Sequence, residues 1–311
     1  MIIKEAYNKS KNNFLFNTSK NFLSLREKIL NEFDLSPKNK KNNESLKYLD
    51  PHVLEFSYKY NKKDKEISYI DHNKNNIEIN VIDGNISTVH KKAEKNVDIQ
   101  FNNIKNENNI AEDQFLDFQN NFNQDYVLNL NSLMLNSGYE IKVAEDQEIN
   151  IFINSNVSEK GLTIFQKNII KCAKNSKIFI FEEILSNETS NNNLVNFFDL
   201  EEGSNVTHLI FQNNKEKANL QFTSCANCKN NSKYKQVIFN ISKGSVRNHH
   251  YANLLGNEAS VELDGIFFAA NKQIIDNKTE VNHRHPNCHS SQRYKGILTD
   301  QAKASYLSKT F

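Results

Sequence analysis

From about Gly138 onward the hydrophobic period of this chain is two. Tyr139, Ile141 and Val143 alternate with Glu140 and Lys142, and Ile149, Ile151 and Ile153 repeat the pattern. Ala218, Leu220 and Phe222 follow, then Val237, Phe239 and Ile241, then Ala259, Val261 and Leu263. Successive side chains of a strand point to opposite faces, so each run predicts a strand with one buried face. Ile178 to Phe181 is continuously apolar and predicts a segment covered on both faces. No helical period interrupts the series after about residue 140. Short strands without crossover helices exclude a doubly wound α/β sheet and leave a sandwich, a barrel or a solenoid.

Small polar corners precede several strands: Lys174-Asn175-Ser176, Gly203-Ser204-Asn205, Lys243-Gly244-Ser245 and Gly256-Asn257-Glu258. Tight solenoid corners need a residue that accepts positive φ. Gly does so freely and Asn better than most. With only 8 Gly in 311 residues, Asn is expected at many corners. The corner spacing is irregular, so no formal repeat follows, and pattern alone leaves solenoid and sandwich level.

The first part of the chain reads differently. Phe22, Leu25, Ile29 and Phe33 share one helical face, with Ser19 as N-cap and Ser36-Pro37 as the stop. Residues 38–43 are a polar linker. Ile67 to Ile70 and Ile77 to Ile82 predict strands, the latter ending in an Asp83-Gly84 turn. Glu112 to Phe122 predicts a helix with Phe115, Phe118 and Phe122 on one side. The division is therefore a helical and mixed segment over 1–130 and a β core over 131–311.

Charge and composition exclude several classes. With 39 basic and 37 acidic residues, no whole-chain field attracts nucleic acid or a membrane surface. The N-terminus has no apolar run of signal-peptide length, and no stretch reaches the roughly 20 apolar residues of a membrane span. Four irregularly spaced Cys make no disulfide framework, which fits a reduced cytoplasm. The mean hydropathy of −0.69 reflects Asn and Lys interleaved with strand-forming residues.

The densest cluster of chemistry-bearing residues is His283, His285, Cys288 and His289. Residues two apart on a strand share a face, so His283 and His285 are candidate metal ligands with His289. A cupin-like all-β metal enzyme is the reading this spacing offers, although no Glu follows Glu280 to complete its ligand set. The bland reading is histidines packed at a corner. Cys225-Ala226-Asn227-Cys228 is a lone CxxC, expected in a loop after a strand and without a second pair for zinc. His249 and His250 should point to opposite faces of one strand. No phosphate loop and no nucleophile elbow is present. A carbohydrate-processing β-helix is a third possibility, disfavoured by the missing signal peptide.

At Asp276 to Tyr306 the residues become a recognisable series. Asp276-Asn277, Thr279, Val281, His283, Pro286, Ser290-Ser291-Gln292, Tyr294-Lys295-Gly296 and Leu298 closely resemble the signature of the SufB/SufD family. Tyr306 stands where Phe is usual and Asn282 where Asp is common. Weaker echoes are Val81-Ile82-Asp83-Gly84, Leu130-Asn131 with Gly138, Phe165-Gln166-Lys167-Asn168 with Lys for Arg, and Leu46 to Leu49 lacking the usual Trp. The length and the helical N-terminal segment resemble SufD more than SufB.

The resemblance implies a mainly β protein built on a right-handed parallel β-helix with a small N-terminal helical segment. It implies a non-catalytic scaffold subunit of the SUF iron–sulfur cluster assembly complex, pairing with a SufB-like subunit and a SufC-like ATPase. No catalytic, cofactor or metal residue carries over, and a transient cluster would sit at a subunit interface. His283 becomes a corner marker. The family continues beyond the point matched by Phe311, so its C-terminal helical segment and interface His have no counterpart here. An uncapped last coil would expose apolar surface and unpaired backbone.

Overall fold

The computed structural model describes residues 2–16, 19–35, 67–71, 76–91, 99–103, 116, 125–186 and 189–311. The Ser36-Pro37 stop, the 38–43 linker, the Leu46 to Leu49 segment and, apart from Leu116, the helix expected over Glu112 to Phe122 lie outside these residues.

Two helices open the chain, α1 (Ile2–Ser10) and α2 (Lys20–Leu35), joined by a 3-10 turn at Lys11–Asn13. Ser19 caps α2 as expected, its hydroxyl accepting from the Phe22 amide at 3.1 Å. Strands β1 (Ser68–Asp71), β2 (Asn76–Ile82), β3 (Asn85–Lys91) and β4 (Ile99–Asn103) come next, then helix α3 (Tyr126–Met134) and β5 (Tyr139–Val143). Twelve strands follow: β6 (Glu148–Val157), β7 (Thr163–Cys172), β8 (Lys177–Ser186), β9 (Asn191–Leu200), β10 (Asn205–Asn214) and β11 (Asn219–Cys228), then β12 (Lys233–Asn240), β13 (Val246–Leu254), β14 (Ser260–Ala269), β15 (Ile274–His283), β16 (His289–Leu298) and β17 (Lys303–Thr310).

These twelve alternate between two sheets. One runs β6-β8-β10-β12-β14-β16 and is extended by β2, β3 and β1; the other runs β7-β9-β11-β13-β15-β17 and is extended by β5 and β4. Neighbours among the twelve are all parallel. Parallel neighbours two strands apart in sequence mean that the chain coils, each turn adding one strand to each sheet. The fold is a parallel β-solenoid of six such turns, which settles the choice between solenoid and sandwich.

A repeat exists after all. Ile149, Ile178, Val206, Tyr234, Val261 and Ser290 stand in one register column, at steps of 29, 28, 28, 27 and 29 residues. The corners keep the same beat. Asp146, Asn175, Gly203, Asn231, Glu258 and Asn287 all have positive φ, between 53° and 87° like every such residue among those described. The step varies and the column residue changes chemistry, which hid the period. Glu258 (φ 57°) is the one long side chain in this corner column. Left-handed backbone costs an ordinary L-residue about 1–2 kcal/mol, less for Asn. Glu258→Asn is therefore expected to raise stability by about 0.5–1 kcal/mol, read as a higher urea midpoint at unchanged slope.

Stacked turns place like residues over like residues, and several Asn are used in this way. Asn191 and Asn219 bond side chain to side chain at 2.9 Å, and Asn227, Asn253 and Asn282 form a ladder at 3.1 and 3.0 Å. Ser176, Ser204 and Ser232 line one corner, each hydroxyl donating to the carbonyl three residues back at 2.7 Å. Asn ladders of this kind satisfy amides between parallel in-register strands.

The second sheet is buried on both faces. Its outward Ile169, Val195, Phe197, Cys225 and Tyr251 pack beneath Leu128 and Leu135 of the α3 region and beneath Phe16 and Phe22. Arg26 of α2 is sealed in this layer, donating to the carbonyls of Leu15 at 2.7 Å and Leu133 at 3.2 Å; burial pulls its guanidinium down to about 10. The first sheet is buried on its inner face only. Two expectations change accordingly. Of the apolar run Ile178 to Phe181 in β8, only Ile178 and Ile180 face inward, while Phe179 and Phe181 are half-exposed. In β12 the apolar alternation Val237 and Phe239 is the outer face; Tyr234, Gln236, Ile238 and Asn240 point inward. Apolar residues on the solvent side of this sheet mimicked a core.

Candidate functional site

The sequence placed its metal candidates at the loop between β15 and β16, and the structure separates them. His283 ends β15 half-buried, its Nε2 2.9 Å from Ser290 Oγ. His285 and His289 are exposed. Among the described residues no group of three His, Cys, Asp or Glu is arranged to hold a metal ion. The strands also coil as an open solenoid, not the closed barrel of a cupin-like enzyme. The closed barrel that this alternative requires is therefore not the fold of the chain.

The CxxC expectation changes too. Cys225 and Cys228 lie within β11, not in a loop after it. Three residues apart on a strand, they face opposite ways: Cys225 outward against Leu128 and Tyr251, Cys228 inward. Burial raises both thiols, Cys225 well above its ordinary value and Cys228 to about 12, so neither is a ready thiolate.

What the fold does assemble is a buried polar lattice under α3. Asp125 caps α3: its Oδ1 accepts from the amides of Val127 at 2.8 Å and Leu128 at 3.2 Å. Its Oδ2 accepts from Arg247 at 2.5 Å and from the Tyr251 hydroxyl, and lies 3.3 Å from His249 Nδ1. His249 Nε2 reaches Asp276 at 3.1 Å, and Asp276 accepts from Ser305 at 2.5 Å. One carboxylate thus holds a helix with one oxygen and the sheet with the other. Burial alone would raise the Asp125 carboxyl, but the Arg247 guanidinium beside it, with His249 and Tyr251, holds it well below the usual range. Asp276 behaves likewise, burial being outweighed by its bond from His249. His249 and His250 do face opposite ways, as expected, and His250 joins a second chain inside the coil.

That inner chain runs across successive turns. Asn168 donates to Asn196 at 2.8 Å, Asn196 to Glu182 at 2.8 Å, and Glu182 faces His208 Nε2 at 2.9 Å. His208 Nδ1 lies 3.3 Å from Tyr234, which donates to Gln236 at 2.9 Å; Ser224 bridges Gln236 at 2.6 Å and His250 at 2.8 Å. Burial pushes the His250 imidazole well below its ordinary value, so it sits neutral. Such buried networks specify one register at a cost in stability.

The signature residues prove to be ties between turns. Asp276 and Asn277 bond back to His249 and Asn248 on β13, Thr279 meets the Tyr306 hydroxyl at 3.1 Å, and Asn282 extends the Asn253 ladder. Asn131 of α3 donates to the carbonyls of Gln166 at 3.1 Å and Asn193 at 2.9 Å. Asp83 accepts from the Ser158 amide at 2.9 Å. Lys167 is fully buried with its amine on Ser132 Oγ and 5.5 Å from the Phe197 ring; burial pushes it down to about 7. Sequence reading missed Asp125, Arg247, Glu182 and His208. Asp before the apolar Val127-Leu128 was an available N-cap signal. Arg247 and His208 carried none, since burial of a polar residue follows from the coil.

Among the described residues no helix is long and apolar enough to cross a membrane. A family profile described as "SUF system FeS cluster assembly, SufBD core domain" matches residues 152–311, from β6 through β17. The chain is also 32% identical over 141 residues to "Iron-sulfur cluster assembly protein SufD" of Plasmodium falciparum (isolate 3D7), a match covering 43% of this chain and 9% of that protein.

Proposed function

The chain belongs to the SufBD core family of the SUF iron–sulfur cluster assembly system, and from that premise we propose that it is a non-catalytic, SufD-like scaffold subunit. The observation that carries this reading is the use made of the signature: Asp276, Asn277, Thr279 and Asn282 all bond to the neighbouring turn. A segment that makes such ties maintains a stiff coil, the property a scaffold needs. The partners are a SufB-like subunit and a SufC-like ATPase, the latter supplying the energy of nucleotide hydrolysis. The chain has no resident cofactor in this reading, and an iron–sulfur cluster passes as cargo at a subunit interface.

Co-expression of the full chain with SufB-like and SufC-like proteins tests it. The expected result is a stable complex, with cluster assembly from iron and sulfide in the complex and none by the chain alone. A folded chain that binds neither partner, or that builds clusters unaided, sinks the proposal.

A further inference from the structure

The outer face of the first sheet carries an apolar staircase. Phe152, Phe181 and Leu209 stand in register on β6, β8 and β10. Two residues along β10, Phe211 begins a second flight with Phe239 on β12 and Ile266 on β14. Two residues along β14, Phe268 pairs with Ile297 on β16. Phe239, Ile266, Phe268 and Ile297 are 42%, 48%, 42% and 63% exposed, and Phe211 and Phe239 stack at 5.8 Å. Large exposed apolar patches rimmed by polar groups mark interaction sites.

The stripe's shape narrows the partner. It climbs five strand spacings of about 4.8 Å while shifting four residues of about 3.3 Å. The resulting path of roughly 27 Å is the length of a helix of about 18 residues. It is one to two side chains wide, bounded by Asn154, Asn156, Glu183 and Asn213 on one margin and Lys235, Arg293 and Lys295 on the other. Lys235 and Arg293 are matched by Glu262 and Asp264 on the same face. Lys295 has no acidic partner among the described residues, so this margin keeps a positive surplus. The opposite sheet shows how the fold covers such a row: its outward Ile169, Val195 and Phe197 lie under a helix, α3.

We propose that this stripe docks an amphipathic helix of another protein, with its apolar face on Phe181, Phe211, Phe239 and Phe268 and an acidic flank against Lys295. The surface stands apart from the buried lattice described above, and no residue of that lattice takes part.

A photoreactive benzoyl-phenylalanine in place of Phe239 in the full chain, irradiated in cells that make it, identifies the occupant. The expected adduct maps to an acidic-flanked helix of a different polypeptide. A synthetic peptide of that helix should bind the wild-type chain, and about tenfold more weakly the Phe211→Glu and Lys295→Glu variants, both with unchanged thermal midpoints. An adduct to a second copy of this chain, an adduct to a strand or loop, no adduct, or peptide affinity indifferent to both variants overturns the proposal.

Discussion

Asp125→Ala should free α3 from the solenoid while leaving most of the coil standing. The substitution removes the N-cap, worth about 1 kcal/mol. It also strands the Arg247 guanidinium, which is only 2% exposed and loses the carboxylate at 2.5 Å. Breaking a buried pair from one side costs about 3–5 kcal/mol. The sum is about 4 kcal/mol or more, and it falls on the helical cover because Asp125 is the residue that joins that cover to β13. Amide exchange across Val127 to Met134 should accelerate by about a thousandfold, while β8 to β12 keep their protection. Exchange within tenfold of wild type would show that the apolar contacts of Leu128 and Leu135 hold α3 by themselves.

The same carboxylate sets an acid limit. Its folded pKa lies below its unfolded value of about 3.9. The unfolded state then binds more protons in that window, so this stabilisation is complete above about pH 4 and drains as pH falls through the folded value. Asp125→Asn keeps a good cap but not the charge. It should lose the Arg247 contribution at neutral pH and flatten the acid slope of the stability profile.

The strands were readable because one face of each is buried in a coil, and burial on one face leaves a period of two. Ile149 to Ile153 and Ala259 to Leu263 obeyed that logic. Val237 and Phe239 broke it, because the outer face of β12 is apolar as well, and alternation cannot say which face is inside. The candidate site was harder. His283, His285 and His289 are near in sequence, which is what a motif reports, but a solenoid brings together residues about 28 apart. Glu182 and His208, or His249 and Asp276, meet only because the turns stack. The step drifts between 27 and 29 in the register column, so no spacing rule would have found them.

The Tyr294-Lys295-Gly296 part of the signature has a physical meaning that a second substitution tests. Gly265 on β14 is in register with Tyr294 on β16, and Phe267 with Gly296. A Cβ added at Gly265 would lie 2.2 Å from the Tyr294 ring, and one added at Gly296 would lie 2.2 Å from the Phe267 ring. Each strand thus supplies an aromatic ring to cover the other's glycine. Tyr294 is also stacked on Tyr306 of β17 at 4.5 Å, so its ring cannot swing away freely. Gly265→Ala should therefore cost about 2–3 kcal/mol by overpacking. Tyr294→Ala alone should also destabilise, by removing a buried ring, yet the double variant should be better than the sum by at least about 1 kcal/mol. Urea unfolding of the four proteins of this cycle measures the coupling. Strict additivity would mean the ring does not rest on the glycine, and the spacing of Tyr and Gly in the signature would then need another cause.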